Sequence, residues 1–443
     1  MPPQLPPAPR RSPRELLRDP LAFFLTLTRQ YGDVVCYRPA PEPAYLINHP
    51  AYLRHVLVDN NRNYSKDTYI NRMFKTEVGN GLLTAEGEDW HRQRRLMQPS
   101  FNPQHLAKLD GLITSRTEHL LEDWQKAVDI SQPINLLQEM SALTLAITTQ
   151  ALFGVDLDEG IGQVGQAVDM GGALLELPKN PRFRASVQII AEIVQQIITE
   201  RRRSMDQAGE AGDLLGTMIR AQQDDPSLGM SDAELRNQVI TLLLAGYDTT
   251  ASALTWTFYL LSQHPEVVAC LRKELNGTLG GRTPVYADLP ALGYTRRVFE
   301  ESLRLYPPAW VLGRVALGDD QLGDYIVPAG TIIAISPYTL HRHPKFWEDP
   351  ERFDPERFTQ ERSAERHRYA YIPFGAGPRK CIGNTLAMIE GQLIIATVMQ
   401  RFDLSLVPDH ELKPEIGFVL RPDSQMKMMV SLPPVGPVQS TSM

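Results

Sequence analysis

The chain has 443 residues, 42% hydrophobic and 22% charged, which is ample material for a large core. A formal charge of −7 argues against general nucleic-acid binding. Three cysteines, Cys36, Cys270 and Cys381, offer no disulfide framework and fit a reducing compartment, so a cytoplasmic protein is expected.

The first segment, "MPPQLPPAPRRSPRELLRDPLAFFL", reads as a proline-rich leader over 1–15 followed by a surface helix. Its apolar run "LAFFL" falls far short of a signal core or a span of roughly 20 residues, so no membrane anchor is expected. "DVVCYR" and "AYLINH" predict two early strands. Apolar residues at helical spacing predict helices over Gln104–Val128, Ile134–Phe153, Ala185–Met205, Asp232–Gln263 and Ile382–Arg401. "YIVPAGTIIAIS" predicts two strands about a Pro-Ala-Gly turn, and "EIGFVLRP" one arm of a late hairpin. No linker or repeat divides the chain. The expectation is one mostly α domain with a minor β-sheet (α+β) over 16–436, and a flexible tail over 437–443. "GIGQVG", Gly160–Gly165, matches a lone GxGxxG but follows a helical pattern rather than a strand, so it reads as a loop.

The long helix over 232–263 opens with Ser231 and Glu234, a capping-box pair, and stops before Pro265. Its middle departs from an apolar rod. Gly246, Asp248, Thr249 and Thr250 are poor helix formers gathered at one turn. They read either as a loosened kink with threonines bonded back to the helix or as a functional cluster. A buried aspartate there costs several kcal/mol unless it is partnered.

"FGAGPRKCIG", Phe374–Gly383, sets Cys381 before an apolar helical pattern. A helix N-terminus and free N–H groups favour thiolate, and the glycines let backbone approach a flat object. With no Cys or His at zinc spacing, one thiolate suits a single axial bond to haem iron; the alternative is a buried free cysteine. Cys36 and Cys270 read as structural.

In chain order, "WHRQRR", "AGYDTT", "ESLR", "HRHPKFW", "PERF" and "FGAGPRKCIG" together resemble the cytochrome P-450 superfamily of haem-thiolate monooxygenases, across roughly Trp90 to Gly383. The resemblance implies a haem b cofactor (protoporphyrin IX iron) with Cys381 as axial ligand in a frame of Phe374, Gly375 and Gly383. It implies that Trp90, Arg94, Arg379 and Arg314 reach the propionates, and that Ala245 and Gly246 leave room for dioxygen. Asp248 and Thr249 would then carry protons to O₂. Glu301, Arg304 and Arg357 would form a structural charge network, and His341 and His343 read as structural too.

About sixty residues follow the cysteine loop, too few for a fused electron-transfer domain. Electrons are therefore expected from NAD(P)H through a separate ferredoxin or flavodoxin and its reductase. Docking is expected near Arg92, Arg95, Arg366, Arg368 and Lys380, with Arg362 and Arg379 adding charge. Family topology puts Leu82, Leu244, Ala309, Val311 and Phe418 at the substrate, with Lys66, Arg72 and Lys75 near a basic entrance. A fatty acid, terpenoid or carotenoid-like molecule is implied, processed by a monomer. The competing readings are an H₂O₂-driven peroxygenase and a non-catalytic haem sensor; the Asp248–Thr249 pair argues against the first.

Overall fold

A computed structural model describes residues 4–8, 13–38, 42–156, 181–208, 212–224, 230–408, 410 and 412–433. Gly160–Gly165, most of the segment 171–183 and the tail 437–443 lie outside them. Part of the expected leader is bonded to the body: Gln4 exchanges backbone bonds with Asp324 and Ile326, and Cys36 N donates to Pro7 O. Residues 13–18 are helical.

Helix α1 (Pro20–Tyr31) starts where the Asp19 side chain accepts from Ala22 N at 2.9 Å, and it buries Leu21, Phe23, Phe24 and Leu27. Strands β1 (Val34–Arg38), β2 (Ala44–Ile47) and β3 (Tyr64–Ser65) follow. Next come helices α2 (Tyr69–Val78), α3 (Gly87–Met97), α4 (Asp110–Asp129), α5 (Leu136–Phe153), α6 (Pro181–Ala208), α7 (Asp232–Gln263) and α8 (Gly293–Leu305). Strands β4 (Leu312–Ala316) and β5 (Ile332–Ile335) precede helix α9 (Asn384–Arg401), and β6 (Glu415–Ile416) and β7 (Leu420–Arg421) form a hairpin.

Both ends of the chain supply the main sheet, in the order β1-β2-β5-β4-β3. β2 and β5 run parallel; the other pairs are antiparallel. The larger core is helical, with α7 packed along α5 and against α6 and α8, and α9 packed on α4 and α8. Among the described residues, no helix is long and apolar enough to cross a membrane.

Several boundaries differ from the periodicity. The pattern over 104–128 is broken: Pro103–Leu106 and Ala107–Leu109 form separate turns before α4. Ile134 is a strand residue paired with Met428, and the Asn135 side chain caps α5 by accepting from Gln138 N. The two strands of "YIVPAGTIIAIS" do not pair with each other: Tyr325–Val327 pairs with Asp320–Leu322, whereas β5 joins the main sheet. "EIGFVLRP" holds both arms of its hairpin, because Gly417–Val419 turns the chain within it.

Candidate functional site

The loop before α9 is shaped by two glycines with positive φ, +68° at Gly375 and +70° at Gly377. Cys381 N donates to Phe374 O at 2.9 Å and Asn384 Nδ2 donates to Cys381 O at 2.7 Å, so the cysteine backbone is held on both sides. Gly383 is the N-cap of α9, which places Cys381 three residues ahead of Asn384 rather than in the first turn. The thiol remains open on one side. Burial by the surrounding protein pushes its pKa up, against the pull of the Gly383 N–H, Arg94 and Lys380. In the protein alone, burial thus works against the thiolate form. A bound metal cation is what would deprotonate it.

A short distance along the fold lies a cluster of cations with too little negative charge. Arg379 donates to Glu86 Oε1 at 2.6 Å and to Ala85 O at 2.7 Å, and its guanidinium lies 4.1 Å over the Trp90 ring. Arg314, on β4, is buried and, among the described residues, bonds only to its neighbour's carbonyl, Gly313 O, at 2.7 Å. Lys66 donates to Leu83 O at 2.5 Å. Burial first, then Arg379, lowers Arg314 to about 10. Burial, then Glu86 against Arg94, leaves Arg379 also at about 10. Burial with Arg314 and Arg379 takes Lys66 down to about 7. Glu86 is the one carboxylate among them. Such a surplus of desolvated cations suits a dianionic ligand.

Helix α7 supplies the other wall. Its capping box forms as expected, with Glu234 N donating to Ser231 Oγ and Ser231 N donating to the Glu234 carboxylate. Ala245 is exposed within an otherwise buried stretch, and Thr249 Oγ1 donates to Ala245 O at 2.7 Å. The helix stays continuous there, without a break. Gly246 does not open space. A β-carbon on it would lie 2.9 Å from Thr148 Cγ2 of α5, so its lack of a side chain serves the α5–α7 contact. Asp248 is 7% exposed, and its Oδ2 lies 2.8 Å from Arg421 Nη2 on β7.

The family model described as Cytochrome P450 matches residues 14–430. This chain belongs to the cytochrome P450 family. A cyclooctatin synthase from Streptomyces melanosporofaciens is 39% identical over 90% of this chain and 88% of that protein. A cyclooctat-9-en-7-ol 5-monooxygenase from the same organism is 38% identical over 89% of this chain and 87% of that protein. The crystal structure of a cytochrome P450DA heme domain superposes with a TM-score of 0.88 at 26% identity, covering 98% of this chain and 99% of that one.

As a cytochrome P450 the protein is a monooxygenase that uses haem, O₂ and electrons from a reductase, and acts on an apolar substrate. The residues present fit haem: an accessible thiol, and surplus cations for two carboxylates. Bound haem would supply the redox-active iron at which O₂ is cleaved. The chain's part is to hold that group, orient substrate and move protons.

Arg94 Nη1 donates to Lys380 O at 3.0 Å, so this arginine clamps the cysteine loop from α3. The Glu301 network is as dense as expected. Arg304 meets Glu301 at 2.6 and 2.9 Å and donates to His341 O, Pro350 O and Arg352 O, and Arg357 Nε lies 3.3 Å from Glu301. Buried His341 bonds Arg304 O and accepts from Ile372 N, while His343 bonds Asp33, so both are structural. Among the described residues, no cluster of three or more His, Cys, Asp or Glu could hold a metal.

Leu82 is a core residue whose N–H donates to Gln238 Oε1, and Leu244 is partly buried beside the same core. Val311 packs partly against the cluster of α1 and Trp310, and Ala309 is half-buried. Phe418 is 43% exposed and its ring lies 4.6 Å from that of Phe74 on α2.

Sequence reasoning missed Lys66 as part of the cation cluster, along with Glu86 and Arg421. Each finds its partner only through the fold, and Arg421 lies 173 positions from Asp248. No local motif marks such pairs.

Proposed function

We propose that this cytochrome P450 hydroxylates a neutral, cyclic terpenoid. The carrying observation is the dismantling of the expected basic entrance. Lys66 turns into the cation cluster, and Arg72 is held by Asp67, with bonds of 2.7 Å to its carbonyl and 3.2 Å to its carboxylate. Of the three cations, Lys75 on α2 is exposed and has no bonded partner among the described residues. A fatty-acid carboxylate thus loses Lys66 as an anchor and meets an Arg72 already paired with Asp67, whereas the apolar Phe74, Phe418 and Leu244 suit a hydrocarbon skeleton. A relative at 38% identity is named for oxygenating cyclooctat-9-en-7-ol, an uncharged alkenol.

In this reading Cys381 ligates haem b, framed by Phe374, Gly375 and Gly383. Trp90, Arg314, Arg379 and Lys66 take the propionates, and Arg94 holds the loop. Thr249 hands protons to O₂ near Ala245, supplied from Asp248. Electrons come from NAD(P)H through a ferredoxin or flavodoxin in the cytoplasm, and the enzyme works as a monomer.

The docking surface is narrower than the charge pattern suggested. Arg92 is paired with Glu234, Arg362 with Asp354 and Arg379 with Glu86. Arg366 stacks 4.1 Å over Trp347 and donates to Arg357 O. Arg95, Arg368 and Lys380 remain exposed, the latter two beside a groove of about 710 Å³ that also includes Tyr371, Phe374 and Arg296. Charge reversal at Arg368 and Lys380 should raise the KM for the electron donor and flatten its salt dependence, with little change from Arg366→Lys.

The substrate reading is tested by optical spin-state titration of the haem-loaded enzyme with cyclic terpene alcohols and with fatty acids of matched carbon number. Tighter binding of the neutral alcohols is expected. Tighter binding of the fatty acids, weakened by Lys75→Ala, would overturn it.

A further inference from the structure

Asp248 and Thr249 are neighbours in sequence but not partners in space. Adjacent positions on a helix point about 100° apart, and the bonds bear this out. Thr249 Oγ1 gives its proton to Ala245 O, while the Asp248 carboxylate faces Arg421 at 2.8 Å. Both members of the ion pair are largely shielded, with side-chain exposures of 11% for Asp248 and 17% for Arg421.

Arg421 is not on a loose loop. The hairpin that carries it is anchored to α7 a second time, where Trp256 Nε1 donates to Leu420 O at 3.2 Å. Leu420 N donates to Pro308 O at 2.9 Å, and Trp310 Nε1 donates to Gly417 O at 3.1 Å. Three residues before Arg421, Phe418 contacts Phe74 of α2. The same short hairpin therefore touches the acid on α7 and the aromatic pair at the expected substrate entrance.

We propose that Arg421 is a positioning residue for oxygen activation: it holds the Asp248 carboxylate on the hairpin side of α7 and thereby sets when and where that acid reaches Thr249. Arg421 meets the Asp248 carboxylate, while the Thr249 hydroxyl is bonded to Ala245 O, so Arg421 acts through Asp248. The inference rests on the reading of Asp248 as the proton carrier. Removing the guanidinium leaves a shielded carboxylate without this partner and free to change rotamer, which alters proton delivery rather than haem binding.

The test uses haem-loaded wild type, Asp248→Asn, Arg421→Met, Arg421→Lys and the Asp248→Asn/Arg421→Met double variant, driven by a ferredoxin and its reductase without added substrate. The readouts are the fraction of consumed O₂ released as peroxide and the ratio of O₂-consumption rates in H₂O and D₂O. Arg421→Met should change the isotope ratio by about twofold or more and shift the peroxide fraction. Arg421→Lys should restore both, and Arg421→Met should add nothing in the Asp248→Asn background. Wild-type values for Arg421→Met, or an undiminished effect on top of Asp248→Asn, would overturn the inference. An Asp248→Asn variant that itself behaves as wild type would instead sink the reading of Asp248. If Arg421→Met does not take up haem, Arg421→Gln, which keeps donors but not charge, replaces it in the same cycle.

Discussion

The α-carbon of Gly377 faces the backbone carbonyl of Leu57 so closely that a β-carbon would lie 1.8 Å from the oxygen. The same glycine has φ of +70°, so the segment at residues 55–59 and the cysteine loop meet at a point where no other residue fits. Gly375 has a similar φ of +68° but only Leu312 Cδ1, at 3.8 Å, near its missing side chain. Gly375→Ala should therefore cost about 1 kcal/mol of backbone strain and still load haem. Gly377→Ala must in addition move backbone and should abolish most haem uptake. Haem content per chain after expression distinguishes the two; equal content would remove the steric account.

Arg304→Met should destabilise the protein by about 3–5 kcal/mol, because Glu301 loses its bidentate partner in a fully buried site and three carbonyls lose their donor. By contrast, Arg38 and Glu42 are 45% and 55% exposed, so Arg38→Ala should stay within about 0.5 kcal/mol. Urea denaturation of the two variants measures both.

Glu390, on α9, is 2% exposed, its Oε1 has no hydrogen-bond partner among the described residues, and burial lifts its pKa to about 8. Between the ordinary carboxyl range and pH 8 the folded state keeps a proton that the unfolded state has lost. Stability on this account is full below about pH 4.5 and falls as pH rises through 8. Glu390→Gln should remove that slope and stabilise the protein at pH 8.5 by a few kcal/mol. Unfolding midpoints at pH 6 and pH 8.5 provide the check, and parallel slopes in both proteins would contradict it.

Lys66→Met should act with opposite signs on the two forms of the protein. In haem-free protein the lysine's pKa is depressed to about 7 by burial and two arginines, so burying its charge costs stability that grows as pH falls from 10.5 towards 7. The variant should therefore be more stable than wild type at pH 7 without haem. With haem, on the proposed assignment of Lys66 to the propionates, the substitution removes one of their cations, and haem should transfer to apomyoglobin several-fold faster. A variant that retains haem as well as wild type would place Lys66 outside the cofactor site.

Much of this protein is legible locally. Cys381 and its glycines are readable because a sharp loop ahead of a helix needs particular residue types in consecutive positions. The capping box at Ser231 and Glu234 and the Glu301–Arg304 pair span three residues of helix, so their geometry follows from helical spacing. The readings that changed depended on what came from elsewhere. Gly246 looked like room for a ligand, but Thr148 of α5 fills that space. Arg92, Lys66 and Arg366 looked like surface charge, but Glu234, Leu83 O and Trp347 engage them.

By itself, the sequence determined the thiolate-type loop, the odd turn of α7 and the helix-rich architecture, because each is written in neighbours bound by backbone geometry. Tertiary structure alone decided which charges distant in sequence meet. Arg421 reaches Asp248, and Lys66 and Arg314 gather beside Arg379, only once strands and helices from distant parts of the chain have packed. The physical reason is that burial and partner distance set the energy of a charge, and neither is a property of the residue that carries it.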